Sequence, residues 1–542
     1  MIRISNIKRH VKEIPWDRLE NPEEERRVLK QLAAKKLGIS PKELRSLRLY
    51  KRAVDARNKA DVQLIYHVDV EMAKEAWLLQ RRRDPSLRAV AKTGYPSPPA
   101  VPLLPQRPVV VGLGPAGLFA ALILAQAGQC PIVLERGDPM EERQKTVGRF
   151  WTAGRLDPES NVQFGEGGAG TFSDGKLTTG TRDPRIMKVL ESFVAAGAPD
   201  EILYNAMPHL GTDRLPGIVI KLRSTIEALG GTVFFRSRLT GFRHQNGGLT
   251  GVEVGTGIGR KHIPCDRVIL AAGHSARDIF HICHEMKLPM EAKAFSVGAR
   301  IEHHRTMIDD AQYGPFAGHP ALGAAAYKLS CHLPSGRGVY TFCMCPGGMV
   351  TGAASETGQV VVNGMSNWRR DGENSNAALL VSVTPKDFGD QVLDGVAFQR
   401  RIEEAAFRSA GESYALPGQL LSDFLADLPS RKFLSVKPTA LPGVIPGKLS
   451  DCLPEGITQS MGAAIGAFQR KLKGFGFQEA VLTAPETRSS SPVRLIRGAD
   501  GMSPGLSGLF PCGEGAGYAG GIVSAAVDGI KSAEALLRWQ GH

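Results

Sequence analysis

The sequence has no apolar run long enough to cross a bilayer: the longest, Gly117 to Ala125, falls far short of the ~20 residues such a helix needs. Met1 to Val11 carries Arg3, Lys8, Arg9 and His10 with no apolar stretch behind them, so no secretory signal is expected. The eight cysteines, Cys130, Cys265, Cys283, Cys331, Cys343, Cys345, Cys452 and Cys512, are too scattered for a disulfide framework. They predict free thiols in a reducing compartment, the cytoplasm. No Ser-His-Asp order, His-Glu-x-x-His string or Walker loop is evident, so hydrolytic and phosphoryl-transfer chemistry have no visible apparatus, and no metal site is expected.

What the chain does have is length, an ordinary globular composition and an excess of glycine. Its 542 residues leave room for roughly three to four domain-sized units. Hydrophobic residues make up 42% and charged residues 22%, which excludes disordered, collagen-like and coiled-coil chains. Glycine, at 62 residues, exceeds the usual ~7%, and the excess lies in short clusters. The net charge of +13 is concentrated, because residues 1–107 hold 24 Lys and Arg against 13 Asp and Glu. A basic module of this kind attracts nucleic acid, acidic partners or anionic lipid. Arg81-Arg82-Arg83 lacks interleaved aromatics, so a solvated face is the expectation and nucleic acid is not.

Residues 22–37 read as an amphipathic helix, with Val28, Leu29, Leu32, Ala33 and Leu37 at helical spacing. Ile2 to Ile7, Leu47 to Ala53 and Val62 to Val70 read as strands, giving a small basic α+β domain over residues 1–90. Four prolines between Tyr95 and Pro102 predict a stiff linker over residues 91–106. Pro108 to Val111 is then a buried-type strand running into Gly112-Leu113-Gly114-Pro115-Ala116-Gly117, followed by a helix from Leu118 to Ala127, a strand from Gln129 to Leu134, and Glu135. This is the order of a dinucleotide fold. The first glycine makes the tight turn, the second lets backbone approach a pyrophosphate, and the third lets helix pack on strand. The helix N-terminus offers free amides to the phosphates, and Glu135 is placed to accept from ribose hydroxyls.

The string Gly-x-Gly-x-x-Gly occurs twice more. Gly165 to Gly170 follows no convincing strand and reads as a loop. Gly515 to Gly520 follows the strand-like Gly508 to Cys512 and precedes a helix, Ile522 to Leu537, but only 22 residues remain after Gly520, too few for a second nucleotide fold. A long cofactor gathers glycine-rich contacts from remote parts of a chain, so FAD fits better than a nicotinamide cofactor. Arg267 to Gly273, a buried strand closing on small residues, supports this.

At these residues the chain resembles the glutathione-reductase-like FAD superfamily, whose ATG-type strand end resembles Ala271-Ala272-Gly273 and whose late Gly-Asp motif resembles Gly513-Glu514. More closely it resembles the FAD-dependent dehydrogenases of bacteria, through Asn161 to Thr179, Thr341 to Gly348, Val362 to Ser366, Thr487 to Arg494 and Pro511 to Ala526. The resemblance implies an α/β fold with a discontinuous Rossmann-like FAD-binding domain, its parts at residues 107–285 and 456–542, and a substrate or cap domain inserted at residues 286–455. It implies noncovalent FAD held by Gly112, Gly114, Pro115, Ala116, Gly117, Glu135 and Arg136, by Gly168, Gly170, Thr171, Asp174, Gly175 and Lys176, and by Ala271, Ala272 and Gly273. Gly513, Glu514, Gly520, Gly521 and Ile522 complete the set. It also lays the loop before Lys176 across the flavin, where a lysine stabilises charge on the reduced ring or contacts phosphate. His274 and Ser489 to Ser491 meet substrate or are structural by the same placement.

Cys343 and Cys345 are the remaining candidates. Regular alternation over Val339 to Cys345 puts both thiols on one face. Strand residues two apart have Cα atoms about 6.6 Å apart, at the edge of disulfide geometry, and zinc lacks further ligands. Packed, inert thiols are therefore the first expectation, with flavin-linked redox thiols and direct substrate contact as alternatives. The function expected is an FAD-dependent oxidoreductase acting on a small molecule. NAD(P)H is a possible partner without a dedicated domain. The rivals are an FAD-binding interaction protein docking through the basic module and a thiol-disulfide reductase using Cys343 and Cys345.

Overall fold

Val109–Val111, Ile132–Leu134 and Val268–Leu270 are apolar triplets that lie side by side in the computed structural model, which describes residues 1–14, 22–91, 94–96, 98 and 101–540. They form a parallel sheet with Leu509–Pro511 on one edge and Thr232–Phe234 on the other. Parallel strands of this kind are covered on both faces, which is why they carry no polar alternation. One face packs against helices Pro115–Gln126 and Ile522–Arg538. The other packs against the antiparallel sheet of Arg238–Gln245, Gly248–Thr256 and Gly259–Pro264, and helix Arg277–Glu285. The expected strand from Gln129 begins only at Ile132, because Cys130 has φ of 47°, outside extended backbone.

A second body is built on a seven-stranded sheet in the order Ser330–His332, Gly338–Cys345, Asn374–Val383, Phe295–His304, Val481–Glu486, Leu416–Leu420 and Val444–Pro446. Its central strands Phe295–His304 and Asn374–Val383 are buried almost throughout. The return to the parallel-sheet body, expected at residue 456, comes later: helix Glu455–Lys471 packs into this sheet's core, and Val481–Glu486, buried at every position, pairs with Phe295–His304 and Leu416–Leu420. An apolar helix and strand follow the larger hydrophobic surface, whichever body holds the neighbouring chain.

The N-terminal strands Ile2–His10, Leu44–Asp55, Gln63–Met72 and Leu87–Ala89 form one antiparallel sheet, with helices Pro22–Leu37 and Glu75–Arg82 between them in sequence. This module is anchored on both bodies. His10 sets its ring edge-on to Phe316, and the backbone of Arg52 exchanges hydrogen bonds with Tyr204 O (2.7 Å) and Ala206 N (2.8 Å). Of the expected linker, Lys92, Thr93, Ser97, Pro99 and Ala100 lie outside the described residues. Tyr95 Oη donates to Glu534 of the terminal helix at 2.7 Å. Among the described residues no helix is long and apolar enough to cross a membrane.

Candidate active site

The turn after Val111 works through missing side chains. A Cβ on Gly112, whose φ is 96°, would stand 2.4 Å from Ala271 O, and one on Gly117 would stand 1.9 Å from Gly112 O. Both are therefore packing requirements. Gly114 differs: its φ is −73° and its side is open except for Gly168 Cα at 3.8 Å. Pro115 opens the helix, a position where its missing N–H costs nothing, and the amides of the first turn face outward.

Gly112, Gly114, Pro115 and Ala116 line a cavity of about 490 Å³. Glu135, Arg136, Gly168, Gly170, Ala271, Ala272 and Gly273 continue the wall, and Lys176, Glu514, Gly520, Gly521 and Ile522 line it further along. Cys343 and Glu486, from the seven-stranded sheet, face the same space. The remaining expected residues do not line it. Gly117 is buried under the turn, and Thr171, Asp174, Gly175, Gly513 and Cys345 stand behind the lining. Asp174 is fully buried and accepts from Arg370 (2.5 and 2.9 Å), Ser366 and Lys176 Nζ (2.7 Å). Burial pushes its carboxyl up, but Lys176 and Arg370 win and hold it well below the usual range. Gly175 closes a turn on Gly211, and the Gly513 amide donates to Asp528 at 2.7 Å.

Glu135 also departs from the simple expectation. Its Oε2 accepts from Leu113 N at 2.8 Å, and its Oε1 from Gly137 N at 2.9 Å and Gly165 N at 3.0 Å. A carboxylate has about four acceptor positions, so this group ties three loops together and keeps about one position for a ribose hydroxyl. Arg136 is held by Glu159 (3.1 Å) and Asp278 (3.0 Å) and lies 4.0 Å over the Phe164 ring, making a rigid wall at that end.

Residues 294–489 match the family described as FAD-dependent protein, C-terminal domain-like, and residues 1–71 match a domain family of unknown function. A protein of Clostridium beijerinckii, described as an uncharacterized protein, is 46% identical over 519 residues, covering 94% of this chain and 96% of its own length. The chain belongs to one family with this Clostridium protein, and its residues 294–489 are an FAD-dependent protein C-terminal domain. Its cofactor is FAD. Solved structures with a loosely similar fold include a flavin-dependent brominase (11% identical, TM-score 0.37, covering 80% of each chain). A flavoprotein/dehydrogenase from Cytophaga hutchinsonii is 12% identical at TM-score 0.35, covering 79% of this chain and 75% of that one. These likenesses are too loose to carry a function.

The residues present suit the cofactor of an FAD-dependent protein. Side chains added at Gly273 or Gly520 would meet no protein atom within 4 Å and would stand in the cavity. Three polar atoms of lining residues, Gln163 Oε1, His274 Nδ1 and Tyr327 Oη, are buried without a hydrogen-bond partner in the protein. Native proteins rarely leave such groups orphaned, so the cavity is shaped for a polar ligand. His274 Nε2 lies 3.7 Å from Glu514 Oε1. Burial pushes His274 down to about 3 and Glu514 up to about 7, so the imidazole is neutral at pH 7.

The thiol-bearing strand breaks the expected alternation. Phe342 pairs with Ala378 but Cys345 with Asn376, so three residues on one strand span two on the other. This is a bulge, and Cys343 within it has φ of 43°. Cys343 is partly exposed and Cys345 buried, which replaces the expectation of two packed thiols in a regular strand. Sequence reading also missed Arg300 and Glu486. Arg300, fully buried, pairs with Glu486 at 2.7 and 3.0 Å and donates to Cys343 O at 3.0 Å. Its one legible signal is a charge within the apolar Val297 to Ile301 run.

Proposed function

We propose that the protein is an FAD-dependent oxidoreductase that exchanges hydride or electrons with a small molecule held between its nucleotide-binding body and its seven-stranded sheet. The observation that carries this is the single cavity shared by the glycine turn, Lys176, Glu514 and Cys343. When bound, FAD supplies a two-electron donor or acceptor. Gly112 to Ala116 and the helix N-terminus behind them would hold its pyrophosphate. Gly168, Gly170, Ala271 to Gly273 and Gly520 to Ile522 would let it lie against backbone. Lys176, whose burial is outweighed by Cys345 and Asp174, stays protonated and supplies a fixed positive charge. Arg300 and Glu486 stiffen the opposite wall. Residues 107–285 and about 490–542 would form the cofactor body, and residues 286–489 the substrate body. Among the described residues there is one five-stranded parallel sheet, so NAD(P)H, if used, binds without a nucleotide domain of its own. Eight free cysteines suit a reducing compartment.

Anaerobic titration of the purified protein with small donors, following flavin absorbance, tests the reading. Bleaching by at least one class of donor, reversed by an acceptor, is expected. A protein that cannot be reconstituted with FAD overturns it.

A further inference from the structure

The bulge in strand Gly338–Cys345 sets two thiols against each other at the wall of the cofactor cavity. Cys345 Sγ donates to Cys343 O at 3.2 Å, which folds the second thiol back over the first residue. Lys176 Nζ lies 3.9 Å from Cys345 Sγ and Arg300 Nη1 3.8 Å from it, so two cations converge on Cys345. Inert core cysteines sit among apolar side chains. Here Cys265, Cys283 and Cys452 are buried with their thiols pushed up to about 12 by desolvation. Non-glycine residues with positive φ are strained and persist where the surroundings impose them. In this chain that cost turns the partly exposed Cys343 toward the cavity and leaves Cys345 behind it. Tyr327, 7% exposed and lining the same cavity, has a hydroxyl with no partner in the protein, which leaves a donor free for a ligand beside the thiols.

We propose that Cys343 and Cys345 are a redox pair that cycles between a dithiol and an intramolecular disulfide, with a low-molecular-weight disulfide as exchange substrate. Cys343 attacks one sulfur of the substrate disulfide, forming a mixed disulfide and releasing the first substrate thiol. Cys345 then attacks Cys343 Sγ, closing the protein disulfide and releasing the second thiol. The two protein thiols lose two electrons and two protons, and the substrate disulfide gains both. The reverse sequence reduces the pair. Cys343 lines the cavity, where a substrate disulfide can reach it, which makes it the attacking group; Cys345, behind it beside Lys176 and Arg300, is the resolving thiol. The inference rests on the reading of this cavity as the redox site, and it names the substrate class that reading leaves open.

The test uses the full-length protein as purified with FAD. It is incubated anaerobically with oxidised glutathione, quenched in acid, alkylated under denaturing conditions and mapped by mass spectrometry, with the flavin spectrum of the same sample recorded. A Cys343–Cys345 disulfide is expected, with Cys265, Cys283, Cys452 and Cys512 recovered as free thiols. Cys345→Ser should accumulate a glutathione adduct on Cys343, and Cys343→Ser should leave Cys345 unmodified. If either variant fails to fold, the wild-type map decides alone. Two free thiols at Cys343 and Cys345 in excess oxidised glutathione, with the protein still yellow, overturn the pair and leave the cofactor reading standing. A colourless chain that forms the disulfide overturns the cofactor reading and leaves the pair.

Discussion

The two walls of the cavity are made in opposite ways. The wall from the parallel-sheet body is backbone: glycines and alanines at Gly112, Gly114, Gly168, Ala271 and Gly520 keep side chains out so that a ligand can lie against the main chain. The wall from the seven-stranded sheet is side chain, with Arg300, Glu486, Cys343 and Arg488 in or behind it. The seam between the bodies is charge. Glu403, on helix Asp394–Ser409, accepts from Arg277 of the parallel-sheet body at 2.8 and 3.0 Å and from Arg488 at 2.7 and 3.0 Å. Backbone walls tolerate no added atoms, and charged walls tolerate no removed partner. That difference predicts which substitutions harm binding and which harm stability.

The largest stability loss should follow Glu403→Gln, which leaves two buried guanidinium groups short of a carboxylate. Removing one partner of a buried pair costs about 3–5 kcal/mol, measurable by denaturant unfolding at pH 7. The pH dependence has a definite sign. Arg277 and Arg488 outweigh burial and hold the Glu403 carboxyl at about 2, below its ordinary 4.5. Its stabilisation is therefore complete above pH 4.5 and lost as pH falls toward 2. The gap between wild type and variant should close over that window. A gap that stays constant would mean the carboxylate charge is not what joins the bodies.

Next in size is Gly529→Ala. A Cβ there would stand 2.0 Å from Ala116 O, where the terminal helix crosses helix Pro115–Gln126. Overpacking of this kind costs about 1–3 kcal/mol, seen as a lower unfolding midpoint of the cofactor-free protein. Gly114→Val should act differently, because its backbone is ordinary and its nearest neighbour across the cavity is Gly168. The cofactor-free protein should melt within a few degrees of wild-type apoprotein while FAD retention collapses. Normal flavin occupancy would remove Gly114 from the phosphate site. Gly520→Ala gives the smallest effect on stability, within about 0.5 kcal/mol, since the added methyl meets no protein atom. FAD affinity, followed by fluorescence titration, should still fall, and an unchanged affinity would mean the cofactor does not pass this glycine.

Much of the backbone wall was legible because its chemistry is local. Strand, glycine turn and helix follow one another within Val109 to Gln126, and Gly117 is required by Gly112 O five residues away, although Gly112 itself is required by the remote Ala271. Gly513 and Asp174 were less legible. Their motifs are real, but the Gly513 amide is taken by Asp528, and Asp174 is taken by Ser366 and Arg370, partners that no local pattern announces.

The succession of strand, glycine turn, helix and strand from Val109 to Leu134 and the cofactor class were legible in the sequence alone, since period and glycine spacing act over short stretches of chain. Tertiary structure decided the rest. Whether Cys343 and Cys345 point together depends on a bulge forced where their strand meets Asn374–Val383, and on Arg300 from the next strand over. Alternation assumes a regular strand, and a strand's register is set by a partner whose position in the chain the local sequence does not encode.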